Sequence, residues 1–435
     1  MFTNNDADPA GTPARPDIAD HTAALATVTT LFFMWGFLTS LNDILVPHLK
    51  SIFDLNYAEV MLIQFAFFSA YFVFSIPSAK LIDRIGYQKS IVIGLLTMAL
   101  GAALFVPAAS VPSFPLFLSA LIILAAGITA LQVAANPYVT VLGPAKTASS
   151  RLTLTQAFNS LGTTIGPFLG GLLILSAAPK SSDEVGRMSA QAVQAYRLHE
   201  ASSVKLPYLG ICFALVVLSL MIARAALPAI PQAQRRRTDG SAAAMESVWH
   251  FRQLVLGAVA IFVYVGAEVA IGSFLVNYLG QPSIGNLAAS VAARYVSVYW
   301  FGAMVGRFIG SAVLRRVRTG TMLGIAAIAA CILVLTSMAT TGHVAMWSIL
   351  LVGLCNSIMF PSIFALGVAG LGPLTGDGAG ILVMAIVGGA IIPELQGILA
   401  DHVGIQRAFI LPVLCYLYIL YYGLRGSRPA ASTEA

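Results

Sequence analysis

The chain has 435 residues, 58% of them hydrophobic and 10% charged, and its 24 Lys and Arg against 18 Asp and Glu give a formal net charge of +6. Soluble proteins carry about a quarter charged residues, so this composition excludes an ordinary water-soluble enzyme, a disordered chain and a disulfide-rich secreted scaffold. Nor does the positive charge point to nucleic acid, because the basic residues fall in short clusters between apolar runs.

Those runs recur along nearly the whole chain, and at about 20–25 residues per bilayer span they accommodate roughly twelve helices. Residues 1–22 are polar, with Asp6, Asp8, Asp17 and Asp20 and no basic leader. They are expected to form a cytoplasmic tail rather than a cleaved signal peptide. Spans are predicted at 24–46, 58–81, 90–108, 114–142, 152–176 and 206–227. A polar, basic stretch at 229–251, with Arg235, Arg236 and Arg237, is expected to be a cytoplasmic linker. Six more spans are predicted at 253–279, 288–314, 320–340, 344–371, 378–400 and 407–424, before a short tail at 426–435. Arg84, Lys89, Lys146, Arg151, the 235–237 run, Arg315, Arg316, Arg318 and Arg425 then share one side of the bilayer. That asymmetry assigns the side, and both termini, to the cytoplasm. The expected architecture is an all-α, multi-pass inner-membrane protein with six-helix bundles at 23–228 and 252–425.

The two halves repeat one another. Ile76–Leu81 aligns with Ile309–Leu314, Gly166–Gly171 with Ile392–Gly397, and Leu142-Gly143-Pro144 with Leu371-Gly372-Pro373, all at similar offsets. A 6+6 duplication marks an alternating-access transporter that holds its substrate between pseudo-symmetric halves near the midplane.

Three carboxylates lie inside spans: Asp43, Glu268 and Glu394. Each costs about 2.5–3.5 kcal/mol at a bilayer centre, so each is expected to face a wet cavity or a partner. Arg307 is the one deep basic residue, either a charge partner near the inner gate or a coupling residue. Uncharged polar residues follow helical spacing beside them. The stripes are Trp35, Thr39 and Asn42; Gln64, Phe68, Tyr71 and Ser75; Thr129, Gln132 and Asn136; and Gln156, Asn159 and Thr163. The second half adds Tyr264 with Glu268, Tyr295 and Tyr299 with Trp300 alongside, and Asn356 ahead of Pro361. Amides both donate and accept hydrogen bonds, which suits vicinal hydroxyls, and aromatic faces cover the apolar side of a sugar ring. Many amides with few charges therefore suit a neutral polyol, although any single stripe equally fits helix–helix joining. Cys212, Cys331, Cys355 and Cys415 lie in apolar stretches without metal-ligand spacing, so neither a metal nor a cofactor is expected.

Phe33–Leu38 followed by Leu41-Asn42-Asp43-Ile44-Leu45-Val46-Pro47 resembles the first helix of the fucose–galactose–glucose:proton symporter family, within the major facilitator superfamily. Gln132–Tyr138, Arg151-Leu152 and Gln156–Ser160 are similar to that family's fourth and fifth helices, and Tyr264–Glu268 and Gly306-Arg307-Phe308 to its second half. Leu81–Lys89 resembles the loop motif of the wider superfamily. The resemblance covers residues about 30–425 and implies proton-coupled sugar uptake. L-fucose permeases of the family pair an aspartate matching Asp43 with a glutamate at the position of Gln132, which cannot titrate. That departure turns the expectation toward a glucose/galactose-type aldohexose, with fucose and N-acetylglucosamine as further options.

On this reading Asp43 is the proposed coupling acid, since low dielectric disfavours its ionised form. Glu268 either titrates as well or binds sugar. Trp35, Asn42, Gln64, Gln132, Asn136, Gln156, Asn159, Tyr299 and Asn356 complete the expected sugar site. Asp83, Arg84, Lys89 and Arg307 are expected to act in gating. Monosaccharide, protons and lipid are the expected partners of a monomer. Sodium coupling, simple facilitation and a non-transporting sugar sensor are the alternatives. An enzyme is not expected, as no HExxH, GxSxG or phosphate loop appears.

Overall fold

A computed structural model describes the backbone of residues 18–53, 57–111, 113–174, 205–228 and 248–428, with a few positions between 187 and 198. Side chains are described for 22–40, 63, 65–111, 113–166, 205–228 and 248–428, and at some of those few positions. These residues form twelve long helices and, among them, no strand. The first six are α1 (Ile18–Phe53), α2 (Tyr57–Ile85), α3 (Tyr87–Ser110), α4 (Phe114–Val141), α5 (Ala148–Ile174) and α6 (Lys205–Arg224). Then come α7 (Arg252–Leu279), α8 (Ala289–Val313), α9 (Thr319–Ala339), α10 (Gly342–Gly367), α11 (Gly372–Val403) and α12 (Ile405–Gly426). Several run past the apolar stretch that predicts them, as α3 does by three residues at its start, from 90 to Tyr87.

Among the described residues, eleven of these offer a stretch long and apolar enough to cross a membrane, and the described part of α5 is more polar. It has ample length at 27 residues, but its described part carries Arg151, Gln156, Asn159 and a series of Ser and Thr. Most of the described hydroxyls bond within the helix. Thr153 donates to the Ser149 carbonyl at 2.7 Å and Thr164 to that of Ser160 at 2.8 Å.

Close packing of small residues joins α5 to α1. A Cβ on Gly36 would lie 2.0 Å from the Asn159 carbonyl oxygen, and one on Gly162 would lie 2.2 Å from that of Phe33. Both obstacles are backbone and cannot yield. Gly162→Leu is therefore expected to remove most of the folded protein, measured as the monodisperse fraction in size-exclusion chromatography. A normal yield would show that α1 and α5 can separate without loss.

The helix corners carry repeats in both sequence and geometry. Leu142-Gly143-Pro144 and Leu371-Gly372-Pro373 sit at short 3-10 turns, Ala145–Thr147 and Gly372–Leu374, that lead into α5 and the regular part of α11. A second pair shares the pattern Asp-x-x-Gly-x-Gln-Lys/Arg: Asp83-Arg84-Ile85-Gly86-Tyr87-Gln88-Lys89 between α2 and α3, and Asp401-His402-Val403-Gly404-Ile405-Gln406-Arg407 between α11 and α12. Gly86 and Gly404 turn the corner at φ 84° and 85°, a region that side chains disfavour. From the first, the Gln88 amide donates to the Ile222 and Ala225 carbonyls, at 2.7 and 2.8 Å, closing the end of α6. From the second, Gln406 does the same at the end of α9, to Ser337 at 2.9 Å and Thr340 at 2.8 Å. Each amide replaces the partners that the last carbonyls of a helix lack.

The two halves meet at the end that holds Arg84, Lys89, Arg151 and Arg315. There the Ser150 hydroxyl donates to the Ser311 carbonyl at 2.6 Å, and Thr319 bonds Ser149 at 2.9 Å. Among the described residues, hydrogen bonds between the halves reach no farther toward the opposite end than Thr164 and Met304. The molecule is closed at its basic end.

Candidate functional site

Polar side chains inside each half are paired before any ligand is considered. In the first half, the Gln132 amide donates to the Tyr71 hydroxyl at 2.8 Å, joining α4 to α2. Gln156 donates to Asn136 Oδ1 at 3.3 Å, joining α5 to α4, while Asn136 Nδ2 is buried without a partner. Asn159 donates to the Phe32 carbonyl of α1 at 2.9 Å.

In the second half, the sequence of α10 creates the key feature. Pro361 has no N–H to return to the carbonyl of Ser357, four residues earlier, and the helix breaks between Asn356 and Met359. Two carbonyls freed at the break are taken by side chains. Tyr264 donates to the Asn356 carbonyl at 3.1 Å and Arg307 Nε to that of Ser357 at 3.2 Å. The Tyr264 hydroxyl also lies 2.8 Å from Glu268 Oε1, so a single hydrogen is shared between carboxylate and carbonyl. The Asn356 amide donates to the Tyr299 hydroxyl at 2.8 Å. Asn356 Oδ1 and the Tyr416 hydroxyl are both buried and close to one another, without forming a well-aligned hydrogen bond.

Arg307 closes the arrangement from α8. A second nitrogen, Nη1, donates to the Ser160 hydroxyl of α5, so one guanidinium ties the second half to the first. Its charge also reaches Glu268 and Tyr264.

Beyond this tie, away from the basic end, lies a cavity of about 400 Å³. Its described lining comes from α1 (Ser40), α5 (Asn159, Ser160, Thr163, Thr164) and α8 (Ser297, Trp300, Ala303, Arg307). It presents hydroxyls, one amide and one indole, with Arg307 at the end nearer the basic face. No carboxylate is among these residues.

The expected site residues fall into four groups. Asn159 and Arg307 line the cavity. Gln132, Asn136, Gln156, Tyr299 and Asn356, all buried, and the half-buried Glu268 form the polar pairs around it, and Trp35, 7% exposed, packs against Phe32 with ring centroids 5.4 Å apart and planes tilted at 52°. The side chains of Asn42, Asp43 and Gln64 lie outside the described residues. At the basic end Asp83 approaches the start of α11, where a Cβ on Gly376 would lie 3.5 Å from its Oδ1, while Arg84, Lys89 and the more distant Glu394 are exposed. Tyr71, Ser160, Tyr264 and Trp300 belong to the arrangement although they were not assigned roles from the sequence. The pairing of Arg307 with Ser160 had no signal in spacing, because it joins helices 147 residues apart.

Comparison with known proteins agrees with this geometry. The family model described as Major Facilitator Superfamily matches residues 27–392. A protein named glucose/galactose transporter from Brucella abortus is 54% identical over 405 residues, 93% of this chain and 94% of that one. The L-fucose-proton symporter of Escherichia coli is 36% identical, covering 94% of each chain. A crystal structure of the E. coli fucose:proton symporter, FucP, superposes with a TM-score of 0.86 at 35% identity, covering 93% of this chain and 98% of that one. Two six-helix halves, a polar cavity between them and these relatives lead to one assignment: the chain belongs to the major facilitator superfamily.

Proposed function

We propose that this protein is a proton-coupled symporter that imports a neutral monosaccharide, an aldohexose of the glucose/galactose type, by alternating access. The observation that carries the reading is the chemistry of the cavity. It offers hydroxyl and amide partners beside an exposed indole, and its single charge, Arg307, is already engaged by Ser160 and Ser357. A cationic substrate finds no counter-ion among the described lining, and an anionic one must compete for Arg307. The relatives named as sugar transporters and symporters support the same choice.

In this proposal Asp43 loads and releases the proton, Glu268 is the second candidate acid, and Asn159 with neighbouring hydroxyls takes the sugar edge. Gln132, Asn136, Gln156, Tyr299 and Asn356 shape that site, with Asn42, Gln64 and Trp35 on its first-half side. Asp83, Arg84 and Lys89 hold the basic end shut. That end faces the cytoplasm, with the bundles 23–228 and 252–425 joined there by 229–251 and both termini on the same side of the inner membrane. The protein works as a monomer. A proton crossing 100 mV supplies about 2.3 kcal/mol, enough for roughly fortyfold accumulation at about 1.4 kcal/mol per decade.

Purified protein in liposomes tests the reading. An inward proton gradient should drive uptake of labelled D-galactose or D-glucose, each competing with the other more strongly than fucose, mannose or N-acetylglucosamine. Uptake that follows a sodium gradient at constant pH would replace the coupling ion. Sugar binding without counterflow would make the protein a sensor.

A further inference from the structure

Tyr299 and Trp300 are neighbours on α8, yet they serve different environments. Tyr299 is fully buried and its hydroxyl is fixed by Asn356. Trp300 is 42% exposed and lines the cavity with Asn159, Ser160, Thr163, Thr164 and Ser297. Its indole is braced on two sides. Tyr299 meets it edge-on, with ring centroids 5.2 Å apart and planes at 82°. On the α7 side, a Cβ on Gly272 would come within 3.3 Å of Trp300 Cζ2, so the glycine leaves room for the ring to lie against that helix. A large aromatic surface that is already held in place loses little freedom when a ligand settles on it.

We infer that Trp300 is the platform on which the sugar ring stacks, and that it sets the preference between epimers. The inference rests on the sugar-transport reading above. A pyranose has a hydroxyl edge and faces made partly of C–H bonds. Hydroxyls from Ser160, Thr163, Thr164 and Ser297 meet the edge, while the indole covers a C–H face. In galactose the axial C4 hydroxyl leaves the hydrogens of C3, C4 and C5 on one face, making a continuous apolar patch. In glucose the ring hydrogens alternate between faces. A flat indole therefore favours galactose, and removing it costs galactose more.

Tryptophan emission and equilibrium binding of D-galactose and D-glucose to the purified protein test this, with counterflow in liposomes as the functional readout. Trp300→Ala is expected to weaken galactose binding about tenfold or more, and glucose binding by a smaller factor, with the counterflow rate at saturating sugar changed much less. Trp300→Phe keeps a stacking face and should stay within about threefold, but it abolishes the sugar-induced change in emission. Trp249→Phe and Trp347→Phe, at residues that do not line the cavity, should retain that change. Trp300→Met, bulky without an aromatic face, takes the place of alanine if the alanine variant does not fold, and should likewise lose affinity. Unchanged affinity for both sugars in Trp300→Ala or Trp300→Met, with wild-type binding intact, overturns the platform. Equal losses for the two sugars overturn its role in epimer preference. Wild-type protein that neither binds nor exchanges any of these sugars overturns the transport reading itself, a separate result.

Discussion

Replacing Asp43 with asparagine leaves a protein that exchanges sugar across the membrane but no longer concentrates it. The residue stands on α1 three positions beyond Ser40, which lines the cavity, and no Lys or Arg precedes it on that helix. A carboxylic acid carried within a membrane span is there at a cost, and in our proposal its use is a cycle of proton loading and release. Asparagine copies the shape of the protonated acid but cannot give up a proton. Accumulation driven by a pH gradient should fall from many-fold to a ratio near one, while counterflow between equally loaded faces persists. Normal accumulation in Asp43→Asn would move coupling to Glu268 or Glu394. Loss of binding, exchange and accumulation together would make Asp43 a sugar ligand or structural residue first.

Arg307→Ala should shift the protein toward the state open at its basic end and slow transport by an order of magnitude or more. The guanidinium makes two bonds here, to the Ser357 carbonyl of its own half and the Ser160 hydroxyl of the other. Only the second must break when the halves part, so only it biases the equilibrium. A hydrogen bond to a charged group contributes about 1.5–3 kcal/mol, so its loss shifts the balance roughly tenfold to a hundredfold. Arg307→Lys should not rescue, because one ammonium cannot match the spread of the guanidinium. Ser160→Ala should give the same shift with Arg307 still seated on Ser357. The measurement is labelling of a cysteine placed at Thr163, on the cavity side, by a membrane-impermeant thiol reagent. Slower labelling than in otherwise wild-type protein is expected for all three variants. Equal labelling and normal transport would remove Arg307 from the gate.

The twelve helices were legible because lipid demands long apolar runs, and α5 was still found because its polar residues are separated by enough Leu, Ala and Phe. The break in α10 was foreshadowed by Asn356 and Pro361, since a proline must free a carbonyl wherever it falls inside a helix. Which of two adjacent aromatics faces the cavity was not legible. Tyr299 and Trp300 differ by 100° around one helix, and the sequence does not reveal how far that helix is rotated. The sequence includes Tyr299 in the expected sugar site, whereas the structure buries Tyr299 and turns Trp300 toward the cavity. The amide stripes had a similar ambiguity, because a glutamine that joins two helices and one that awaits a ligand share the same periodicity. Gln132 could be seen to lie on such a face, but its partner Tyr71, on another helix, could only be found in three dimensions.

The matching corners at Gly86 and Gly404 bear on how the molecule moves. Gln88 fastens the start of α3 to the end of α6, and Gln406 fastens the start of α12 to the end of α9, so each clamp binds two three-helix units of one half. Neither crosses between halves. The clamps sit at opposite faces of the molecule, one in each half, so the seam between the halves can open and shut without breaking either. Two such braces would let each half move as a lever, with the deformation of a transport cycle gathered at the seam, where Ser149, Ser150, Ser160 and Arg307 bond the halves. A lever that does not bend delivers the full swing of one end to the other, which is how bonds broken at the basic face can close a cavity on the far side.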